Sequence, residues 1–220
     1  MSGAFVVAVG GQKGGCGKST VSTNLAAEGV RRGLSVLLLD ADTQRSAATW
    51  AAVGREAGAA VPDTLAVLLD EKHPQLPEQA AGYALVVLDL PPALGAAQRA
   101  AMVQSDVVLI PCGASPADLW STGESEALVA AARGTHPALR AAYVLNRLRR
   151  TAFSAQVRGA LKSSSIPTLR AALSQRAAYE QAMAVGAGVT TYAPSSPAAL
   201  EVRDLFAELF RFAERKAPRG

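Results

Sequence analysis

A glycine-rich stretch with two lysines carries the clearest chemistry in this sequence. Residues 10–20 read Gly-Gly-Gln-Lys-Gly-Gly-Cys-Gly-Lys-Ser-Thr, and they lie between the apolar run Phe5–Val9 and residues with helical spacing at 21–32. A strand, a glycine turn and a helix in this order form a cradle for a polyphosphate. The glycines let backbone N–H groups converge on the anion, and the helix N-terminus adds partial positive charge. Lys18 would then contact the β- and γ-phosphates, and Ser19 would offer its hydroxyl to Mg²⁺.

The stretch departs by one residue from the standard phosphate-loop pattern G-x-x-x-x-G-K-[ST], because Gln12 occupies the position of the first glycine. What remains is Lys-Gly-Gly-x-Gly-Lys-Ser, with a second lysine at Lys13. This resembles the deviant Walker A box of the ParA/MinD group of P-loop ATPases, which implies that Lys13 crosses a dimer interface to the partner's nucleotide. The residues then expected around bound ATP are Gly14, Gly15, Cys16, Gly17, Lys18, Ser19 and Thr20.

Two acidic segments complete this resemblance. Asp40 and Asp42 follow the apolar run at 36–39, and Asp89 ends the apolar run at 85–88 in the form of a Walker B strand. The resemblance implies that Asp42 orients or activates the attacking water and acts with Lys13 and Lys18 in catalysis. It places Asp40 and Asp89 at the Mg²⁺, with the carboxylates acting through water, beside the Ser19 hydroxyl.

A late polar residue and two cysteines have competing interpretations. Asn146 ends an apolar run, and the resemblance implies that its amide contacts the adenine edge; an asparagine that satisfies a turn is the alternative. Cys16 and Cys112 form no C-x-x-C pattern, so we interpret both as small packing residues. The simplest interpretation of His73 and His136 is that both are surface residues.

Composition indicates one cytosolic domain over residues 1–220. A length of 220 residues permits a full hydrophobic core, and half the residues are apolar with only 5% aromatic, so that core is built from Ala, Val and Leu. No apolar run approaches the roughly 18 residues of a membrane span. Residues 214–220 are expected to form a frayed basic tail.

The order of apolar runs and helical patterns predicts an α/β fold, with a mainly parallel sheet covered by helices on both faces. A short strand near 65–69 and a short helix near Gln79 are further expectations, and Pro197 begins a final amphipathic helix. The strands are predicted at 6–9, 36–39, 85–88, 107–110 and 142–145. The helices are predicted at 19–32, 47–56, 94–104, 118–133 and 153–162.

Charge is distributed unevenly along the chain. Residues 1–110 carry eight basic and ten acidic side chains, whereas residues 111–220 carry fourteen basic and eight acidic ones. No Asp or Glu lies between Glu126 and Glu180, while nine Arg or Lys residues do. Such a segment either attracts a polyanion or forms a solvated basic surface, and charge alone leaves both interpretations open.

Local features separate the branches of the resembled family. Gln12 before Lys13 and the Asp-x-Asp-x-Gln at 40–44 are similar to the ParA form, closest to its small ParF-like members, although Thr43 replaces the usual Pro. The alternative is a MinD-like, membrane-associated spatial regulator, which would use the apolar stripe of the final helix for targeting. A metabolic or metal-cluster NTPase is a third class, disfavoured by the missing cysteine motifs and the basic segment.

The ParA resemblance implies a positioning cycle. An ATP-dependent homodimer would bind nucleoid DNA without sequence preference, and a ParB-like or centromere-binding protein would stimulate slow hydrolysis. Phosphate contacts from Lys and Arg supply sequence-independent affinity, and Arg176 falls where the family places a DNA-contacting arginine after a late strand. The further DNA-contact candidates are Arg149, Arg150, Arg158, Lys162 and Arg203. The cargo (plasmid, chromosome, chemoreceptor cluster or microcompartment) leaves no mark in the sequence.

Overall fold

The computed structural model describes residues 3–69, 75–92, 95–149 and 151–214. Its centre is one seven-stranded sheet of order β3-β2-β4-β1-β5-β6-β7, and every strand pair is parallel. The strands are β1 (Phe5–Val9), β2 (Val36–Asp40), β3 (Asp63–Ala66), β4 (Leu85–Asp89), β5 (Val107–Cys112), β6 (Arg140–Leu148) and β7 (Thr168–Ser174). The predicted mainly parallel sheet is confirmed, and all of it is parallel.

Helices cover both faces of this sheet, as predicted. They are α1 (Lys18–Arg31), α2 (Ser46–Glu56), α3 (Ala96–Met102), α4 (Pro116–Trp120), α5 (Thr122–Thr135), α6 (Ala152–Ala160), α7 (Ala177–Ala184), α8 (Val189–Tyr192) and α9 (Pro197–Glu214). Short 3₁₀ helices lie at Glu78–Gly82 and Leu161–Ser163.

Alternate residues of each central strand belong to two separate cores, because successive side chains of a strand point to opposite faces. In β1, Val7 and Val9 pack with α1, α2 and α9, whereas Val6 and Ala8 pack with α3, α5 and α6. This double burial explains why the central strands read as continuous apolar runs in the sequence.

One predicted helix is divided in the structure, and three further elements were not predicted. The helix predicted at 118–133 is two helices, α4 and α5, which meet at Ser121. The Ser121 hydroxyl donates to the Asp118 carbonyl (2.8 Å) and the Thr122 hydroxyl to the Leu119 carbonyl (2.7 Å). Side-chain donors that occupy these carbonyls compete with the helical ladder. The elements predicted from the sequence did not include β7, α7 or α8. Small and polar residues interrupt the apolar pattern of β7, and α8 has only four residues.

Other element boundaries differ by a few residues. Strand β3 begins two residues before the predicted 65–69 segment, and the helix expected near Gln79 is the 3₁₀ helix Glu78–Gly82. Within the helix predicted at 94–104, Leu94 lies outside the described residues, as do Arg150, His73 and residues 215–220 of the tail expected at 214–220. The first residue of that expected tail, Glu214, ends helix α9 instead. Among the described residues, no helix combines the length and apolar character needed to cross a bilayer.

Candidate nucleotide site

All seven strands run in the same direction, so the segments that follow them meet at the carboxyl edge of the sheet. The glycine-rich loop follows β1, Asp42 follows β2, Pro92 follows β4 and Asn146 lies in β6. Together they border an open cavity of about 430 Å³. The predicted residues that line it are Gly14, Gly15, Gly17, Lys18, Ser19, Thr20, Asp42 and Asn146.

The loop after β1 has the geometry of a phosphate cradle. Gly15 and Gly17 adopt positive φ angles of 75° and 93°, and α1 begins directly at Lys18. A Cβ atom on Gly17 would lie 2.1 Å from the Asn146 Nδ2 atom, so only glycine fits there. The loop therefore presents the first turn of α1 to the cavity.

The two lysines of the loop point to different places. Lys18 is 6% exposed, and its Nζ donates to the Lys13 carbonyl at 3.0 Å. Lys13 instead directs its Nζ to the Asp118 Oδ1 atom (2.9 Å) and the Ser115 hydroxyl (3.1 Å) of α4 and its N-cap. Lys18 thus lies within its own loop, whereas Lys13 lies against α4, beside a separate crevice lined by Cys112 and Asp118.

Asp89 is the buried carboxylate of the site. It is fully buried, its Oδ1 accepts a hydrogen bond from the Ser22 hydroxyl (3.0 Å), and its Oδ2 accepts no hydrogen bond from the part of the chain that the structure describes. Burial raises the pKa of Asp89 to about 7. Ser22 lies one helical turn along α1 from Ser19, so its bond to Asp89 places this carboxylate next to the first turn of α1. The Asp89 carboxylate and the Ser19 hydroxyl fit a hydrated Mg²⁺.

The two carboxylates after β2 differ in their contacts. Both Asp40 oxygens accept backbone N–H bonds, from Asp42 (3.0 Å) and Ala48 (2.8 Å), so this carboxylate ties the segment after β2 to α2. Asp42 lines the cavity, and its Oδ1 accepts from the Gln44 N–H at 2.9 Å. The geometry thus brings Asp42 to the cavity and gives Asp40 a structural role, and its predicted place near Mg²⁺ stays a prediction.

Asn146 braces the loop. Its Nδ2 donates to the Cys16 carbonyl (2.8 Å), and its Oδ1 accepts from the Arg147 N–H (2.9 Å). The predicted adenine contact stays a prediction.

Both cysteines are buried and free, and burial raises the pKa of Cys16 and that of Cys112, the latter to about 12. Two neutral buried thiols agree with the packing role expected of them.

Several site residues had no signal in the sequence. Gln98 donates from Nε2 to the carbonyls of Gly11 (3.2 Å) and Pro91 (2.9 Å), which links the loop to the segment after β4. These partners are distant in the chain, so only the fold reveals them. Gln44 and Pro92, which follow the acidic residues Asp42 and Asp89 in the two segments of the resemblance, also line the cavity. The other cavity-lining residues, for which the sequence indicated no role at the nucleotide, are Ser46, Arg147, Ser174, Gln175, Tyr179 and Glu180.

The predicted DNA contacts differ in exposure and in their partners, and two of them, Arg149 and Arg176, line one groove. Arg149 and Lys162 are exposed, and Arg203 on α9 is partly buried. Arg158 donates to the carbonyls of Leu169 and Arg170 (3.2 and 3.3 Å). Arg176 pairs with Glu201 on α9 at 2.8 Å and lines both the cavity and an adjoining groove that contains Arg149.

Comparison with known proteins agrees with this geometry. The chain is 37% identical over 191 residues to Maintenance of carboxysome distribution protein A of Halothiobacillus neapolitanus, covering 84% of this chain and 87% of that protein. Two solved structures share the fold. A Borrelia burgdorferi plasmid partition protein bound to AMPPNP has TM-score 0.74 at 18% identity, covering 94% and 99% of the chains. The septum site-determining protein MinD of Pyrococcus horikoshii complexed with Mg-ADP has TM-score 0.76 at 20% identity, covering 98% and 100%.

The family described as the CobQ/CobB/MinD/ParA nucleotide binding domain matches residues 7–189, which include the glycine-rich loop, Asp42, Asp89 and Asn146. This confirms the family resemblance of the glycine-rich loop and the acidic segments. The chain belongs to the CobQ/CobB/MinD/ParA family of nucleotide-binding domains.

Proposed function

We propose that this protein is a ParA-type ATPase that positions a cargo over the nucleoid through an ATP-dependent homodimer. The observation that carries the proposal is the separation of the two loop lysines. Lys18 lies inside its own phosphate loop, while Lys13 points away from that cavity, with its side chain 37% exposed. A lysine held outside its own cavity by Asp118 would reach the nucleotide of a second subunit by exchanging that ion pair.

The chemistry is hydrolysis of ATP to ADP and phosphate. Phosphoryl transfer requires mainly positioning and charge neutralisation. The loop N–H groups and Lys18 would hold the phosphates, and Ser19 with Asp89, through water, would hold Mg²⁺, which neutralises charge on the phosphates when bound. Asp42, at the cavity wall, would orient the attacking water.

DNA binding is the proposed output of the dimer. Arg149 and Arg176 border a groove beside the cavity, and Lys162 adds an exposed charge beyond α6. Pairing two subunits doubles this basic surface, so weak contacts of each subunit combine into avid binding. The bound dimer would be confined to the nucleoid until a ParB-like or analogous partner stimulates hydrolysis.

The burial of helix α9 argues against the MinD-like alternative. That alternative requires the apolar stripe of α9, but Leu205, Phe206 and Leu209 are at most 3% exposed and pack in the core beside α1 and β1.

The similarity to a carboxysome distribution protein favours a cargo made of protein over a plasmid. A neighbouring gene that encodes a sequence-specific DNA-binding protein would point back to a plasmid or chromosome.

The experiment is light scattering with Mg²⁺ and the slowly hydrolysed analogue ATPγS, followed by titration with a random-sequence DNA duplex at several salt concentrations. We expect an ATPγS-dependent dimer whose DNA affinity falls steeply with salt. The salt slope should be shallower in Arg149→Ala, by about one unit for each DNA phosphate that the variant leaves unneutralised. Lys13→Ala and Lys18→Ala should remove the dimer. A wild-type dimer that binds anionic vesicles and ignores DNA would support the MinD-like alternative.

A further inference from the structure

Arg147 has a backbone conformation that L-residues adopt reluctantly. Its φ angle is 54°, and among the described residues only Arg45, at 55°, is another non-glycine residue with positive φ. Such a conformation persists where the surrounding contacts determine it, and it occurs often at functional sites. The contacts of Arg147 therefore indicate what the conformation serves.

The Arg147 side chain connects two distant parts of the site. Its Nη1 donates to the Gly15 carbonyl at 2.8 Å, and its Nε donates to the Gln175 Oε1 atom at 3.1 Å. The left-handed turn is held by its own N–H bond to the Asn146 Oδ1 atom. The guanidinium thus bridges the phosphate loop after β1 and the turn between β7 and α7.

On the loop side, this bridge fixes the orientation of peptide groups. Arg147 holds the Gly15 carbonyl, and Asn146 holds the next one, that of Cys16. In a trans peptide the C=O and the following N–H point in opposite directions. The N–H groups of Cys16 and Gly17 therefore point away from these two side chains, in orientations fixed before any phosphate arrives.

On the other side, the bridge ends at the turn that carries Arg176. Gln175 donates its N–H to the Leu148 carbonyl (2.8 Å) and its Nε2 to Glu180 (3.3 Å). Ser174, Gln175 and Arg176 form a wall shared by the nucleotide cavity and the groove that contains Arg149. A shift of this turn alters both sites.

We propose that Arg147 is a positioning residue that couples nucleotide binding in the phosphate loop to DNA binding at the Arg149–Arg176 groove, through its bridge from Gly15 to Gln175. This inference rests on the proposed function. Phosphate bound to the Cys16 N–H polarises the Gly15–Cys16 peptide and strengthens the Gly15 carbonyl as an acceptor. The tighter bridge holds the Gln175–Arg176 turn against the groove. Linkage then requires DNA to raise nucleotide affinity by the same factor.

Three single variants of the full chain test the bridge. Gln175→Ala removes the acceptor and leaves Arg147 intact, while Arg147→Lys keeps the positive charge and loses the Nε donor. Arg55→Gln, near the end of α2, removes one exposed charge; it lies nine residues, or about 14 Å, along the helix from cavity-lining Ser46. For each protein, ATPγS affinity is measured with and without a random-sequence duplex, at concentrations where light scattering shows the full ATPγS dimer.

We expect the duplex to tighten ATPγS binding at least about fivefold in the wild type and in Arg55→Gln. In Gln175→Ala and Arg147→Lys the ratio should fall close to one, although both still dimerise with ATPγS. Wild-type ratios in both bridge variants would overturn the inference and leave the proposed function intact. A wild-type dimer that binds no duplex would overturn both. An effect of Gln175→Ala with a wild-type ratio in Arg147→Lys would overturn the inference, because Gln175 would then act on the coupling without the Arg147 Nε donor.

Discussion

Lys13 and Asp118 are 105 residues apart in the chain, yet the Lys13 Nζ and the Asp118 Oδ1 atoms lie 2.9 Å apart. The Asp118 side chain is 7% exposed and also accepts a hydrogen bond from the Ser115 hydroxyl. The lysine proposed to cross to a partner's nucleotide is therefore bound within its own subunit. In the proposed dimer, this ion pair would be exchanged for the partner's phosphates.

Weakening this ion pair should favour the dimer. Asp118→Asn keeps an acceptor for Ser115 but removes the charge that holds Lys13, whose side chain is 37% exposed. We expect ATPγS-dependent dimer affinity to rise by roughly fivefold, equivalent to about 1 kcal/mol, since the pair is partly screened by solvent. Light scattering measures the affinity, and the single exposed tryptophan among the described residues, Trp120 in α4, offers a fluorescence readout. A weaker dimer would show that Asp118 supports the Lys13 geometry used between subunits.

Asp42 should be needed for hydrolysis and dispensable for nucleotide binding. Asp42→Ala removes the carboxylate at the cavity wall, so we expect ATP turnover to fall at least about a hundredfold, with the protein trapped as a DNA-bound dimer. Phosphate release measures turnover, and sedimentation with DNA measures trapping. Asp204→Ala, an exposed carboxylate on α9, is the matched control. Normal hydrolysis by Asp42→Ala would assign the water-orienting role to another residue.

Two glycines of the loop should respond differently to alanine. At Gly17 the φ angle is 93° and a Cβ would overlap the Asn146 amide; at Gly14 the nearest atom to a Cβ is the Pro92 Cβ, 3.9 Å away. Gly17→Ala should lower the free energy of unfolding by about 1–3 kcal/mol, whereas Gly14→Ala should change it by less than about 0.5 kcal/mol. Urea unfolding of the nucleotide-free protein measures both. Equal stability of the two variants would contradict the brace between Asn146 and the loop.

Glu28 should make stability depend on acid pH. Its side chain is fully buried and receives hydrogen bonds from Arg31 (2.6 and 2.7 Å) and Arg32 (2.7 Å). Burial alone would raise the pKa of Glu28, but the bonds from Arg31 and Arg32 outweigh it and lower the pKa below its ordinary 4.5. A lowered carboxyl pKa stabilises the fold above the unfolded-state pKa, and this stability is lost as pH falls through the folded-state value.

The corresponding variant is Glu28→Gln. We expect a loss of about 2 kcal/mol in the free energy of unfolding at pH 7, because two guanidinium groups lose a buried partner. The difference from the wild type should shrink as pH falls below about 4.5, where the carboxyl of the unfolded chain binds a proton first, and should be smallest below the lowered folded-state pKa. Urea unfolding across this pH range measures it, with Glu56→Gln at the exposed end of α2 as control. A difference independent of pH would mean that Glu28 acts by packing alone.

Much of the site follows from the sequence because its parts are local. A glycine loop needs only neighbouring residues to adopt positive φ and to begin α1, and strands buried on both faces show continuous apolar runs. Parallel order then brings Asp42, Asp89 and Asn146 to one edge. These features predicted the fold class, the family and about half of the residues that line the cavity.

Tertiary structure decided where the polar side chains are engaged, since such contacts join residues that the sequence pattern leaves unrelated. Lys13 forms an ion pair with Asp118, and Arg176 forms one with Glu201 of α9. The Asn146 amide donates to the Cys16 carbonyl. Arg147 acquired a bridging role that no local pattern signals. A hydrogen bond requires that the distance between donor and acceptor be correct to within a few tenths of an ångström. Only the packed sheet and its helices determine those distances, so the composition of the site was readable in the sequence and its connections were not.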